Sequence, residues 1–131
     1  MKYSNMERAY FKERPNRFIA YVETEKGREI CHVKNTGRCK ELLTPDAVVY
    51  VQRNDNPARK TKLDLITVEK NQYLINMDSQ APNQAAFEWL SGLQHAYEHP
   101  IFCPQNIRRE VRYGESRFDL SFIDSRTGKP W

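Results

Sequence analysis

Several features are scarce in this chain, and each scarcity narrows its function. It has three cysteines in 131 residues, an odd number with no Cys-x-x-Cys spacing, which argues against a disulfide framework or a structural zinc site. Cys31 and Cys39 flank His32, but reduced, half-buried thiols in a cytosolic protein are the reading taken here. No apolar run approaches the ~20 residues of a membrane span. Residues 1–8 are polar and hold no apolar stretch of the signal-peptide kind, so a cytoplasmic protein without a membrane partner is expected. No Ser-His-Asp or Cys-His arrangement can be argued, and His95 and His99 have no visible partner set.

Apolar residues make up 39% of the chain and charged residues 29%, a polar balance for a globular domain. Seven tyrosines and six phenylalanines still supply core material, which argues against disorder. The net charge of +4 is uneven: residues 1–78 carry 15 Lys and Arg against 11 Asp and Glu, whereas residues 79–131 carry six of each. The whole basic excess therefore sits in the first part, which fits a polyanion-binding module joined to a segment with another task.

The most informative stretch is residues 32–43, His-Val-Lys-Asn-Thr-Gly-Arg-Cys-Lys-Glu-Leu-Leu. A strand-like run ends in an Asn-Thr-Gly turn, and a short helical pattern over 38–43 follows. Glycine at such a turn allows a positive φ without Cβ strain, and a turn feeding a helix start leaves backbone N–H groups free for an anion. Lys34, Arg38 and Lys40 add charge around it, and Asn35, Thr36 and Gly37 offer amides. The competing reading is a tight turn with solvated lysines, and the motif alone leaves both open.

Residues 18–24, 29–33, 47–52, 63–68 and 73–76 read as strands from their β-branched and aromatic content, with turns at 25–28 and near 70–71. Five short strands so closely spaced predict a small barrel of the oligonucleotide-binding (OB) type over residues 1–78. The pattern then changes. Pro82 and Asn83 open a helix running to about Tyr97, with Ala86, Leu90, Leu93 and Tyr97 as one apolar stripe, and Pro100 and Pro104 end it. Residues 107–113 and 117–123 form a hairpin around Gly114, with Phe118, Leu120 and Phe122 on one face and Arg117, Asp119 and Ser121 on the other. Residues 124–128 are a further turn, and Lys129-Pro-Trp131 starts another element. A helix and a hairpin cannot bury a full core, so residues 79–131 read as the front half of a second α/β domain.

Three basic groups stand near strand ends: Arg14 with Arg17; His32, Lys34, Arg38 and Lys40; and Arg59, Lys60 and Lys62. Loops of a small barrel converge at such ends, so the expectation is one cationic rim contacting phosphate. Tyr10, Phe11, Phe18 and Tyr21 lie near the first group and either stack on unpaired bases or fill the barrel. Asp119 could hold a divalent metal only if other carboxylates converge on it, and by composition it pairs with Arg117. Glu88, opposite the helix stripe, reads as a solvated charge.

These segments resemble the sugar fermentation stimulation protein (SfsA) family. The likeness rests on Arg14-Pro-Asn-Arg-Phe18, the 32–43 run, Asn56-Pro57, Arg59-Lys-Thr61 with Asp64-Leu-Ile66, and Leu74-Ile-Asn76. It continues through Asp78-Ser-Gln-Ala-Pro-Asn83, Glu88-Trp-Leu90, Arg109-Glu-Val111, and Tyr113-Gly114 with Ser116-Arg-Phe-Asp119. Pro45-Asp46 departs from the Pro-Gly usual at that turn. The resemblance implies an OB barrel followed by a domain similar to PD-(D/E)xK nucleases, with DNA as partner (RNA remaining open) and a regulatory link to sugar, maltose-type, metabolism. It implies that Asp119 is the acidic residue of the second nuclease-core strand, a ligand for Mg²⁺ or Mn²⁺ in a longer protein. The Glu-x-Lys strand expected after Trp131 is not in the sequence, so this chain is expected to be catalytically inactive and to hold no cofactor.

Overall fold

The computed structural model of the chain describes residues 1–94 and 103–131, so the expectations for His95, Tyr97, His99 and Pro100 lie outside the described residues. Two compact units are present: Lys2–Ser79, and Gln80–Trp131 together with Met1.

The first unit contains six strands: β1 (Met6–Glu13), β2 (Ile19–Thr24), β3 (Gly27–Val33), β4 (Val48–Arg53), β5 (Leu63–Lys70) and β6 (Tyr73–Asn76). They run in the order β3-β2-β1-β4-β5-β6, and an added parallel pairing of β3 with β5 closes the first five into a barrel. The OB-type barrel expected from the sequence is present, but its strands are β1–β5. The sequence reading missed β1 and counted β6, which pairs only on the outside of β5. The physical reason lies in β1 itself. Its inward positions include only two apolar residues, Ala9 and Phe11, set among charges, so alternation over Met6–Glu13 is faint.

Period-two alternation sends Ala9 and Phe11, Ala20 and Val22, Cys31 and Val33, Val49 and Val51, and Leu63 and Leu65 inside, a register shift in β5 brings Val68 in after them, and Leu43 and Met77 join the cluster. Burying each Val, Leu or Phe contributes roughly 1.5–3 kcal/mol. The same inward parity continues to polar residues at one end: Glu7 on β1, Thr24 on β2, Glu29 on β3 and Arg53 on β4. There the Arg53 guanidinium donates to Glu7 Oε1 (2.6 Å) and Oε2 (2.8 Å) and to Glu29 Oε1 (3.0 Å) and Oε2 (2.8 Å), while the Thr24 hydroxyl donates to Glu29 (2.5 Å). These groups plug that end. Hydrogen bonds from Arg53, joined by Thr24, outweigh burial and hold the Glu29 carboxyl down at about 2.

Strand registers sort the loops between the two ends. Glu13 meets Tyr21, Ile19 meets His32, and Tyr10 meets Val48, so residues 14–18 and 34–47 share one end. Met6 meets Gln52, Thr24 meets Gly27, and Arg53 meets Leu63, so residues 25–26 and 54–62 belong to the other. Gly27 takes φ +98° as the chain leaves the β2–β3 turn, a conformation strained for any residue with a Cβ.

Of the one or two helical turns expected over 38–43 a single turn forms, with the Leu42 and Leu43 amides donating to Cys39 O at 3.0 and 2.9 Å. Cys39 itself sits at φ +47°, outside helical geometry, and Thr44-Pro45 stops any extension. At the next bend Ala47 N–H donates to Thr44 O (3.0 Å) with Pro45 second and Asp46 at φ +66°. This is the third position of a type II turn, where glycine is easiest. The Asp46 carboxylate accepts a bond from Lys12 Nζ at 2.6 Å.

In the second unit α1 (Ala81–Leu93) begins one residue before the expected Pro82, which sits in its first turn, buries Leu90 and half-buries Ala86 and Leu93. The hairpin is β7 (Pro104–Tyr113) and β8 (Ser116–Asp124), turning at Gly114-Glu115. It is longer than expected at its open end because Asn106, at φ +57°, carries β7 through a register shift. Arg109 ties α1 to β7 through a bond to Gln84 Oε1 (2.6 Å) and a guanidinium 5.5 Å from the Phe87 ring. Asp124 organises the turn after β8, its carboxylate accepting from Cys103 N–H (3.0 Å) and its carbonyl from Gly128 N–H (2.7 Å). Lys129–Trp131 then return along β8, with Phe122 and Trp131 exchanging backbone bonds of 3.0 and 2.9 Å.

Candidate nucleic-acid interface

The Asn-Thr-Gly turn is built differently from the amide cradle that its sequence suggests. Gly37 does not take a positive φ; what it supplies is room, since a Cβ there would lie 3.0 Å from Asn35 Oδ1. That oxygen accepts the Gly37 N–H at 2.9 Å, so this amide is already used. The loop turns its carbonyls toward Arg14. Arg14 Nη1 donates to Gly37 O (2.6 Å) and Arg38 O (2.9 Å), and Nη2 to Arg17 O (2.6 Å) and Asn35 O (2.7 Å). Its Nε is buried without a hydrogen-bond partner. Arg14 is therefore a clamp between the β1–β2 loop and the 35–38 turn. Its charge is set against dipoles and not against a carboxylate.

The clamp brings the first two basic groups together. Arg14, Arg17, Arg38 and Lys40 all line one groove of about 460 Å³, with Phe11, Leu43 and Pro45 as its apolar part. Lys12 and Glu13 also border it, but Lys12 is paired with Asp46, and Glu13 with Arg28 (3.0 Å). Arg17, Arg38 and Lys40 are exposed, and among the described residues none of them has a carboxylate partner within ion-pair distance. Arg17 lies 5.6 Å from the Phe18 ring.

The other expected contacts are arranged differently. Lys34 Nζ pairs with the buried Asp78 at 3.2 Å, and Tyr3 Oη donates to the same carboxylate. Arg59 binds the buried Asp64 through both Nη atoms (2.9 and 2.6 Å), with His32 Nδ1 also 3.4 Å from it. Burial works against the Asp64 charge, yet the two Arg59 bonds prevail and hold its carboxyl below the ordinary range. Lys60 and Lys62 are exposed on the 54–62 loop, which leads into β5 beside Cys31 and His32 of β3. The structure thus gathers Arg17, Arg38 and Lys40 along one groove, sets Lys60 and Lys62 on another loop, and pairs Lys34 and Arg59 with buried carboxylates. Thr36 is exposed beside the groove loop.

Of the aromatics, Phe11 fills the barrel at 3% exposure, whereas Tyr10 and Phe18 stay outside at 42% and 51%. Tyr21 is half-buried under the Arg28 guanidinium, 4.6 Å from its ring. Sequence reasoning missed Arg53, although a signal existed: it continues the inward parity of Val49 and Val51. Cys31 and His32 point to opposite faces of β3, which rules out a shared metal. Burial pushes the Cys31 thiol far up, so it stays protonated.

Asp119 is exposed on β8. Arg117, expected as its partner, pairs with Glu110 across the hairpin instead. Among the described residues no three His, Cys, Asp or Glu side chains gather as metal ligands. The residues in hand therefore do not complete a metal site around Asp119. No helix of the described residues is long and apolar enough to cross a membrane.

Comparison with known proteins agrees with the barrel. Residues 13–77 match the family described as the SfsA N-terminal OB domain. The sugar fermentation stimulation protein homolog of Ruminiclostridium cellulolyticum is 52% identical over 130 residues, covering 98% of this chain and 54% of that protein. The homolog of Clostridium beijerinckii is 51% identical over 120 residues, covering 92% and 51%. The solved structure of Pyrococcus furiosus SfsA in complex with Ca²⁺ superposes with a TM-score of 0.79 at 25% identity, over 96% of this chain and 52% of that one. The chain thus spans about half the length of the relatives it matches. By its closed five-stranded barrel and these matches, the chain belongs to the SfsA family of sugar fermentation stimulation proteins.

Proposed function

We propose that the barrel binds DNA in the cytoplasm through backbone phosphates, with little sequence preference, and that this binding serves the regulation of sugar use for which its relatives are named. The observation that carries the reading is the groove wall of Arg17, Arg38 and Lys40, three exposed cations without carboxylate partners among the described residues. Such groups are free to exchange counterions for phosphate, whereas Lys34 and Arg59 would first have to leave a buried carboxylate. Arg14 acts as a positioning residue and adds charge behind them. Lys60 and Lys62, on the loop that leads into β5, extend the contact to a longer strand. The test is a fluorescence titration of labelled DNA with the triple variant Arg17→Ala, Arg38→Ala, Lys40→Ala at about 50 mM salt. A loss of roughly ten-fold or more supports the reading, and unchanged affinity removes it. Competition with RNA of the same length separates a DNA module from an RNA module.

One observation favours a second reading for the longer protein, that it handles a divalent metal: the Pyrococcus furiosus relative was solved with Ca²⁺. Resemblance assigns Asp119 as one ligand of a Mg²⁺- or Mn²⁺-dependent nuclease. We derive no cleavage step, because the described residues do not assemble a ligand set around it. The expected outcome is no cleavage by this chain with either metal, and loss of any activity of a full-length relative when the residue matching Asp119 becomes Ala.

A further inference from the structure

We propose that β6 is a dimerisation edge: two copies of this chain pair their β6 strands antiparallel about a two-fold axis, so that the sheet of one barrel continues into the other. Among the described residues β6 bonds to β5 alone, which leaves its other side a row of open backbone groups. The register identifies them. Met77 N–H donates to Ile66 O at 2.6 Å, and in the same ladder Ile75 faces Val68 and Tyr73 faces Lys70. Bonded and non-bonded pairs alternate along an antiparallel ladder. Residues 73, 75 and 77 therefore turn their backbone groups to β5, and Leu74 and Asn76 turn theirs outward.

Free edges are normally blunted by charge, proline or a bulge. β7, bonded to β8 alone, follows that rule: Arg108, Arg109, Glu110 and Arg112 lie along it and its register shifts near its start. β6 breaks it. Its register with β5 is unshifted, no charge or proline lies from 71 to 77, and Tyr73 and Leu74 are 73% and 67% exposed. The turn before it has Asn71 at φ +50° and Gln72 at φ +68°, the type I′ geometry whose twist matches the strands it joins, so the edge is held in place.

Such an edge complements itself. With Leu74 of one copy opposite Asn76 of the other, the two exchange N–H···O=C bonds and every outward group of both residues is used. Ile75 then meets Ile75 on the axis as a close non-bonded pair, and each Tyr73 lies diagonal to the second copy's Ile75. No charge opposes its like. A charged partner strand would find no counter-charge on β6, so another copy of this uncharged strand is the occupant assigned. Over 4 residues the contact falls below the roughly 1,000 Å² of a lasting interface, and the dimer is a weak one.

Sedimentation equilibrium tests this on the 131-residue chain. It should show monomer at about 1 μM and a growing dimer toward about 500 μM, as a weak interface does. The contact carries no charge, so salt should change it little, unlike DNA binding. Hydrogen exchange at the Leu74 and Asn76 amides should slow as concentration rises, whereas the Ile75 amide, bonded to β5, should be slow at every concentration. Leu74→Pro deletes an outward N–H and spares the β5 ladder, so it should stay monomeric across the range. Leu74→Lys changes only an exposed side chain and should do the same by setting like charges on the two strands, which keeps the test intact if proline disturbs folding. A parent chain that is monomeric throughout overturns the proposal. So does a dimer that survives Leu74→Lys, or one that leaves the 74 and 76 amides exchanging at their dilute rate. A dimer abolished by Phe118→Ser and untouched by Leu74→Lys would place the contact on the second sheet and overturn it too.

Discussion

The two units use the same strand grammar and bury it very differently. In the barrel, alternation along β2–β4 and the shifted register of β5 leave Val22, Val33, Val49, Val51, Leu63, Leu65 and Val68 at 0% exposure. In the second unit, Phe118, Leu120 and Phe122 alternate just as cleanly, yet Phe118 is 51% exposed, as are Trp89 at 52% and Trp131 at 67%. Leu90 is the buried hydrophobic residue of its helix. Alternation states which residues share a face; closure decides whether the face is covered. The β3–β5 pairing gives each barrel strand a neighbour on both sides, whereas β7 and β8 form a two-stranded sheet met on its free edge by Lys129–Trp131.

The comparison should break first in the barrel core. Leu65→Ala leaves a cavity in a fully enclosed site and should cost about 2–5 kcal/mol in denaturant unfolding, whereas Phe118→Ala, at an exposed position, should change stability by less than about 1 kcal/mol. If the two cost the same, closure is not what separates the units. Next is the plug. Arg53→Ala strands Glu7 and Glu29 together at the barrel end and should cost about 3 kcal/mol, toward the low end of what breaking a buried pair costs because both carboxylates keep some solvent. Removing the exposed Arg117, paired with Glu110 in the hairpin, should cost less than about 1 kcal/mol.

A smaller effect is expected at the clamp. Lys in place of Arg14 has three donors on a single nitrogen and cannot span four carbonyls, so Arg14→Lys should lose about 1–2 kcal/mol and speed hydrogen exchange around residue 37. The broadest effect is acid sensitivity. The Glu29 carboxyl lies at about 2 in the folded barrel against an ordinary 4.5, so its contribution is fully present above 4.5 and is lost as pH falls toward 2. Acid unfolding of Glu29→Gln should accordingly lack the part of the pH dependence lying in that window.

Much of the barrel was legible because β2 and β4 are rich in β-branched residues with clear period-two alternation, and because turns punctuate β2–β5 at short intervals. β1 was hidden because its inward set holds only Ala9 and Phe11 among charges. The helical stretch at 38–43 is held to one turn, since apolar spacing over six residues cannot reveal that Cys39 adopts a left-handed conformation. The candidate site was legible as chemistry and not as geometry. Arg17, Arg38 and Lys40 do line one groove, but nothing local to Lys34 announces Asp78, 44 residues on, or tells that Arg14 spends its donors on carbonyls. Partners brought together by the barrel's closure lie beyond any window of sequence.

The measurement closest to the central claim is the salt dependence of DNA binding by the parent chain and by the Arg17→Ala, Arg38→Ala, Lys40→Ala variant. With about three phosphates neutralised by the groove, log K against log[salt] should fall about 2–3 units more steeply in the parent than in the variant. Parallel lines for the two proteins would contradict the account, because the cations gripping the strand would then lie elsewhere.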